Sequence, residues 1–191
     1  MATFKKIIKI GVSGDVGSFS EEAALLYARG ARIKPKLSYL IDMEGVLAAL
    51  DKKKIDLGIF PVVNSRGGLV QTAFEAMGRH LFTLIDEVWL DVKQNLISKK
   101  GARKTQIKTI ISHPQAISQC ERHLQKELPK AKLVEYEDTA KAARDLAEGK
   151  FDNQTAVIAP ALCAQIYGLQ VLERNIQDNH PNLTTFIVVK H

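Results

Sequence analysis

Asn182-Leu183-Thr184-Thr185-Phe186, followed by Ile187-Val188-Val189, decides how this chain is read. The β-branched run from Thr184 to Val189 is a strand by its composition. Two hydroxyls and an aromatic ring stand at its mouth, where a strand end can offer them to a ligand. Pro61-Val62-Val63-Asn64-Ser65 and Ser112-His113-Pro114-Gln115 repeat the theme, each placing polar side chains just beyond an apolar run.

Outward from this closing strand, short β-branched runs alternate with amphipathic stretches, which is the pattern of an α/β layer architecture. Strands are predicted over residues 7–12, 36–41 and 55–62, with helices over 20–28, 43–50 and 70–77. Residues 81–85 and 88–98 read as extended crossover strands. A second set follows: strands 107–111, 132–136 and 155–158, and helices 114–127, 139–148 and 160–167. Strands near 169–173 and 184–189 close the chain. Two such sets joined by two crossings predict two α/β lobes around a cleft, with 1–80 plus 160–191 in the first lobe and 81–159 in the second. Ligands of such folds sit where strand ends and helix N-termini converge.

The composition suits a soluble enzyme or binding protein: 191 residues, 46% hydrophobic and 25% charged. The net charge of +6 invites a nucleic-acid partner. However, Lys5-Lys6, Lys52-Lys53-Lys54, Lys99-Lys100 and Arg103-Lys104 are scattered, with no basic stripe interleaved with aromatics. A small anionic partner fits better than nucleic acid. Cys120 and Cys163 are too few for a disulfide framework and lie in apolar helical patterns, as buried thiols do. The apolar stretch 7–12 is too short for a signal peptide or a membrane span, so a cytoplasmic setting is expected.

The loops divide by chemistry. Gly11-Val12-Ser13-Gly14-Asp15-Val16-Gly17-Ser18-Phe19-Ser20-Glu21 links a strand to a helix, with Ser18 and Glu21 at capping-box spacing. It reads either as a capped tight turn or as an anion site, and it lacks the Walker lysine and the dinucleotide fingerprint. Asn64 and Ser65 read either as an Asx-type turn or as ligand donors, with Arg66 beside them as a candidate carboxylate clamp. His113 sits at a helix cap, structural or catalytic, and Asp138-Thr139 opens another helix. No His/Cys/Asp/Glu cluster has metal spacing, and no Gly-x-Ser-x-Gly elbow occurs. Hydroxyls, amides and helix N-termini with few acids or bases suit a site that holds a small carboxylate and stabilises developing charge by hydrogen bonds.

These motifs, in this order, resemble the prephenate dehydratase family across essentially the whole chain. The match runs through Gly17-Ser18-Phe19-Ser20 with Ala23-Ala24, and Pro61 with Asn64-Ser65 and Gly68. It continues through His113-Pro114-Gln115, Gln119-Cys120, Thr139 with Ala142-Ala143, and Tyr167-Gly168-Leu169. It ends at Ile176 with Asp178, and at Asn182-Leu183-Thr184 before Phe186. The resemblance implies a catalytic domain like the type II periplasmic binding proteins, and a cofactor-free lyase turning prephenate into phenylpyruvate for phenylalanine synthesis. It implies Thr184, Asn64 and Ser65 as catalytic residues. Ser18, Phe19, Gly68, Thr139, Thr185 and Phe186 stand at the matching positions and are expected as substrate contacts, with Arg66 added from the loop reading above, and no metal and no cofactor site is implied. Family members self-associate, so a homo-oligomer is expected, without a membrane partner. Many relatives continue into a regulatory domain that binds phenylalanine, and none is expected here.

The chain departs from the family pattern twice. Val63 stands where the family has glutamate, and Thr185 where it has arginine. A threonine cannot replace the charge-assisted, bidentate contact of an arginine. Arg66 is the candidate that compensates. The departures leave two alternatives to the dehydratase: a decarboxylase that keeps the ring hydroxyl, and a non-catalytic protein that binds small carboxylates.

Overall fold

The β-branched run that opens the described chain forms β1 (Ile7–Ser13), and alternating elements follow it much as the periodicity predicts. The computed structural model describes residues 7–191, so Lys5-Lys6 lie outside the described residues. After β1 come α1 (Phe19–Gly30), β2 (Lys34–Leu40), α2 (Met43–Asp51), β3 (Leu57–Asn64), the two-residue β4 (Gly68–Leu69), α3 (Gln71–Met77) and β5 (Thr83–Asp91). Then come β6 (Asn95–Ser98), β7 (Thr109–Ser112), α4 (Pro114–Gln119), α5 (Glu121–Glu127), β8 (Lys132–Glu135) and α6 (Thr139–Ala147). The last elements are β9 (Thr155–Ala159), α7 (Ala161–Ile166), β10 (Gln170–Glu173) and β11 (Leu183–Lys190). Among the described residues, no helix is long and apolar enough to cross a membrane.

The chain divides into two compact units. Among the described residues, the first holds 7–15, Phe19–Asp91 and Leu183–His191. Its sheet runs β2-β1-β3-β11-β5, with β4 added to β3. β1 pairs parallel with β2 and β3, whereas β11 runs antiparallel between β3 and β5. One face packs Phe60, Val62, Ile187 and Val189 against Val46, Leu47 and Leu50 of α2 and Ala73 and Ala76 of α3. The sheet and α2 approach closely at Gly58, where a Cβ would stand 2.6 Å from Val46 Cγ1.

The second unit holds Val16–Ser18 and Val92–Asn182, with strand order β10-β6-β9-β7-β8. Ile97, Val157 and Ala159 pack against Ala140, Ala143 and Leu146 of α6 and Cys163 of α7. A second cluster joins Leu96, Ile110 and Ile158 to Ala116, Cys120 and Leu124. Cys120 and Cys163 are both free and buried, and burial pushes the Cys120 thiol well above its ordinary range. Gly17 takes φ +90°, and a Cβ there would meet Cys163 Sγ at 2.8 Å.

The division differs from the expected boundaries of 1–80 plus 160–191 against 81–159. β5 belongs to the first unit because it pairs with β11 along its length, from Leu183↔Asp91 to Lys190↔Thr83, and buries Val88 and Leu90. Conversely, α7 and β10 lie in the second unit, where β10 pairs with β6. The extended run predicted over 88–98 is therefore divided, with Asp91 ending one strand and Asn95 starting the next.

The helix predicted over 114–127 is also two helices, broken at Cys120 (φ −115°, ψ 9°). The break is capped from a distant segment. Asp178 accepts from Arg122 N at 2.9 Å and His123 N at 2.8 Å, and its own N–H donates to Gln119 O at 2.8 Å. The carboxylate thus satisfies N–H groups that a continuous helix would have bonded internally.

Candidate functional site

The end of β3 and the start of β11 build the centre of the candidate site. Thr184 is in register with Asn64, and Thr185 with Val63, after which the ladder skips Val62 so that Phe186 pairs with Pro61. Such a bulge disposes of the proline, which has no N–H to give to a ladder. It lies beyond Ile59, the last β3 residue in register with β1.

Asn64 is 2% exposed and Thr184 7%. The Asn64 carbonyl oxygen accepts from Arg66 N at 2.8 Å and Gly67 N at 2.7 Å, the Asx turn offered by the sequence as one reading. The amide nitrogen then donates to Thr184 Oγ1 at 2.8 Å. Ser65 extends the same ladder: its N–H donates to Leu183 O at 2.7 Å, and its Oγ accepts from Leu183 N at 3.1 Å. Gly68, in β4, pairs back with Asn64 at φ +71°, a left-handed backbone that favours glycine.

The structure therefore brings Thr184, Asn64, Ser65, Arg66 and Gly68 together within the first unit. Ser65, Arg66 and Gly68 are exposed, so a cation and two hydroxyl-bearing residues stand beside one buried amide. Thr185 is not part of this group. Side chains alternate along a strand, so Thr185 lies on the face of Ile187 and Val189, opposite to Thr184. Phe186 returns to the face of Thr184 but is only 1% exposed, so its ring is core packing. Phe19 is the first residue of α1 and is half-buried.

In the second unit, Ser18 is 4% exposed, and Thr139 opens α6 directly after the cap Asp138, which accepts from Lys141 N at 2.7 Å. His113 caps α4, and its Nδ1 accepts from Gln115 N at 3.2 Å. Burial lowers its pKa below 6.5, against the opposing pull of Asp138 and Glu135. With Nδ1 accepting, the neutral tautomer that fits this bond carries its proton on Nε2. This geometry favours the structural reading of His113. Among the described residues, no group of three or more His, Cys, Asp or Glu is placed to hold a metal ion.

Two relationships escape a reading of the sequence. Register makes Val63 and Thr185 neighbours although they are far apart along the chain. Asp178 shows itself as a helix cap only once the break at Cys120 is known.

The prephenate dehydratase family model matches residues 10–191. Arogenate dehydratase 5, chloroplastic, of Arabidopsis thaliana is 32% identical over 182 residues, which are 95% of this chain and 42% of that protein. The bifunctional chorismate mutase/prephenate dehydratase of Aquifex aeolicus (strain VF5) is 28% identical over 187 residues, 98% of this chain and 50% of that one. The chain thus spans about half the length of the curated relatives it matches. The crystal structure of prephenate dehydratase from Arthrobacter aurescens in complex with L-Phe superposes with a TM-score of 0.84 at 26% identity, covering 96% of this chain and 60% of that one. With this coverage, and with the Asn64-Ser65 and Thr184 motifs joined in one ladder, the chain belongs to the prephenate dehydratase family.

Proposed function

We propose that the chain is a lyase that converts prephenate to phenylpyruvate, with Thr184 meeting the departing hydroxyl. The Asn64–Thr184 hydrogen bond carries this reading, because it holds a hydroxyl in a fixed place beside an exposed loop. In the reaction the bond from the ring to its carboxylate breaks and carbon dioxide leaves. The electron pair left behind completes the aromatic ring and expels hydroxide, which takes a proton and departs as water. A hydrogen-bond donor at the leaving oxygen lowers the barrier by stabilising charge as it develops there. Aromatisation supplies the drive, so the proposal includes no cofactor and no metal.

Prephenate carries two carboxylates. The proposal assigns one of them to Arg66, whose backbone N–H is held by Asn64 Oδ1 and whose side chain is exposed. Ser18, Phe19, Gly68 and Thr139 remain assigned as substrate contacts on the strength of the family motifs. Thr185 and Phe186 are withdrawn from that set, the first for its sheet face and the second for its burial. The proposal also includes the cytoplasmic setting, to be tested by fractionation, and self-association, to be tested by sedimentation.

A second substrate is favoured by the relatives named arogenate dehydratases, which align with 95% of this chain. Arogenate differs from prephenate in carrying an ammonium group in place of the keto oxygen, and the same elimination yields phenylalanine. Incubating the purified chain with each compound and identifying the products by mass spectrometry decides between them. Phenylpyruvate or phenylalanine above the spontaneous background names the substrate. A decarboxylated product that keeps its hydroxyl makes the chain a decarboxylase instead. Binding without turnover makes it a small-carboxylate-binding protein.

A further inference from the structure

Two backbone N–H groups settle which way the Asn64 carboxamide faces. Oδ1 accepts from Arg66 N at 2.8 Å and Gly67 N at 2.7 Å, so the opposite orientation would set an NH2 group against two donors. Nδ2 therefore points at Thr184 Oγ1, 2.8 Å away. An amide nitrogen only donates, so the threonine oxygen is the acceptor of this bond. Among the described residues, Asn64 Nδ2 is the one side chain that hydrogen-bonds the Thr184 hydroxyl. The hydroxyl proton is thus left for another acceptor.

We infer that Asn64 is a positioning residue that does not touch the substrate but commits Thr184 to act as a hydrogen-bond donor toward it. This rests on the reading above, in which Thr184 meets the departing hydroxyl. A hydroxyl in water both donates and accepts, and its proton is free to rotate toward any neighbour. Here both side chains are nearly buried, where a hydrogen bond is strong and a misdirected one costly. The direction of the Asn64 bond removes that freedom before substrate arrives, and a dipole already aimed at the developing charge needs no reorganisation during the reaction. The control extends back to the turn: Gly67 and Arg66 N–H orient Asn64, and Asn64 orients Thr184.

Asn64→Asp tests this at nearly constant shape. One carboxylate oxygen keeps the two turn N–H groups, but the other can only accept, so Thr184 must turn its proton inward. The expected result at neutral pH is a fall in kcat of about 10²–10³, the range for losing one donor to developing negative charge, with KM little changed. As the pH falls through the carboxylate range the acid regains a proton to donate, and kcat of the variant rises while that of the wild type does not. A fall in kcat without acid recovery would make Asn64 merely structural and overturn the inference. Neutron diffraction of the deuterated, ligand-free wild type supplies a readout that needs no substrate. Deuterium on Thr184 Oγ1 directed away from Asn64 supports the inference, and deuterium lying between the two residues overturns it. If the wild type turns over neither prephenate nor arogenate while the deuterium points outward, the functional reading falls and the orientation stands.

Discussion

Val63 and Thr185 face each other across the β3–β11 ladder, one residue further along than the Asn64–Thr184 pair and on the opposite face of the sheet. The resemblance read from the sequence implies glutamate and arginine at these two positions. In register, they are one departure rather than two. A carboxylate and a guanidinium at this spacing would pair with each other, so losing both together leaves no buried charge unpaired. Val63 packs on the cluster of Phe60, Val62 and Ile187, and Thr185 is 8% exposed, which suits the neutral pair.

This relationship predicts the outcome of restoring the charges. Thr185→Arg alone places a cation without a partner at a nearly buried position and costs about 3 kcal/mol. Val63→Glu alone also destabilises. The double variant V63E/T185R loses less than the sum of the two, with a coupling of about 1–3 kcal/mol. Urea denaturation of the four proteins in the cycle measures it, and strict additivity would show that the positions act independently.

The broken helix gives a second prediction. Asp178→Ala leaves Arg122 N and His123 N without the carboxylate that caps α5, and removes it from a side chain only 9% exposed. The expected loss is about 1–2 kcal/mol, with Asp178→Asn retaining part of it. Thermal or urea unfolding reads both variants, and an unchanged stability in Asp178→Ala would leave the break at Cys120 without its cap.

The periodicity carries the order of strands and helices, because alternation and amphipathic spacing are local properties of the chain. What it omits comes from distant partners. Residues 114–127 look like one helix because each local step favours it, whereas the break depends on Asp178. The placing of β5 depends on a ladder with β11, and no window of sequence contains both strands. For the candidate site, the motifs holding Thr184, Asn64 and Ser65 are legible, and Asn64 as an Asx turn. The sheet face of Thr185 and the burial of Phe186 are not, since both depend on packing and register.

A third prediction concerns pH. His80 Nδ1 lies 2.6 Å from Asp51 Oδ2, and Nε2 lies 2.8 Å from Glu44 Oε1, while Arg79 also bonds Glu44. The hydrogen bond to Asp51, then that to Glu44, raises the His80 pKa above 6.5, against the opposing effect of burial. Because the folded value is the raised one, this clamp contributes fully below the unfolded pKa of about 6.5 and fades as pH rises through the folded pKa. The stability difference between wild type and His80→Gln, measured in urea, shrinks with rising pH across that interval. It is about 1 kcal/mol at most, since Glu44 and Asp51 are 42% and 41% exposed. A difference that grows with pH would contradict the assignment.

In the proposed reaction, the Thr184 hydroxyl assists the loss of the ring hydroxyl from prephenate. Its most direct test compares phenylpyruvate formation by the wild type and by Thr184→Val, which keeps the shape and removes the donor. The expected result is turnover well above the spontaneous background for the wild type, and a kcat lower by about 10²–10³ for the variant, with both proteins equally folded by circular dichroism. A valine variant as fast as the wild type would contradict it, and so would a wild type that leaves prephenate unconsumed.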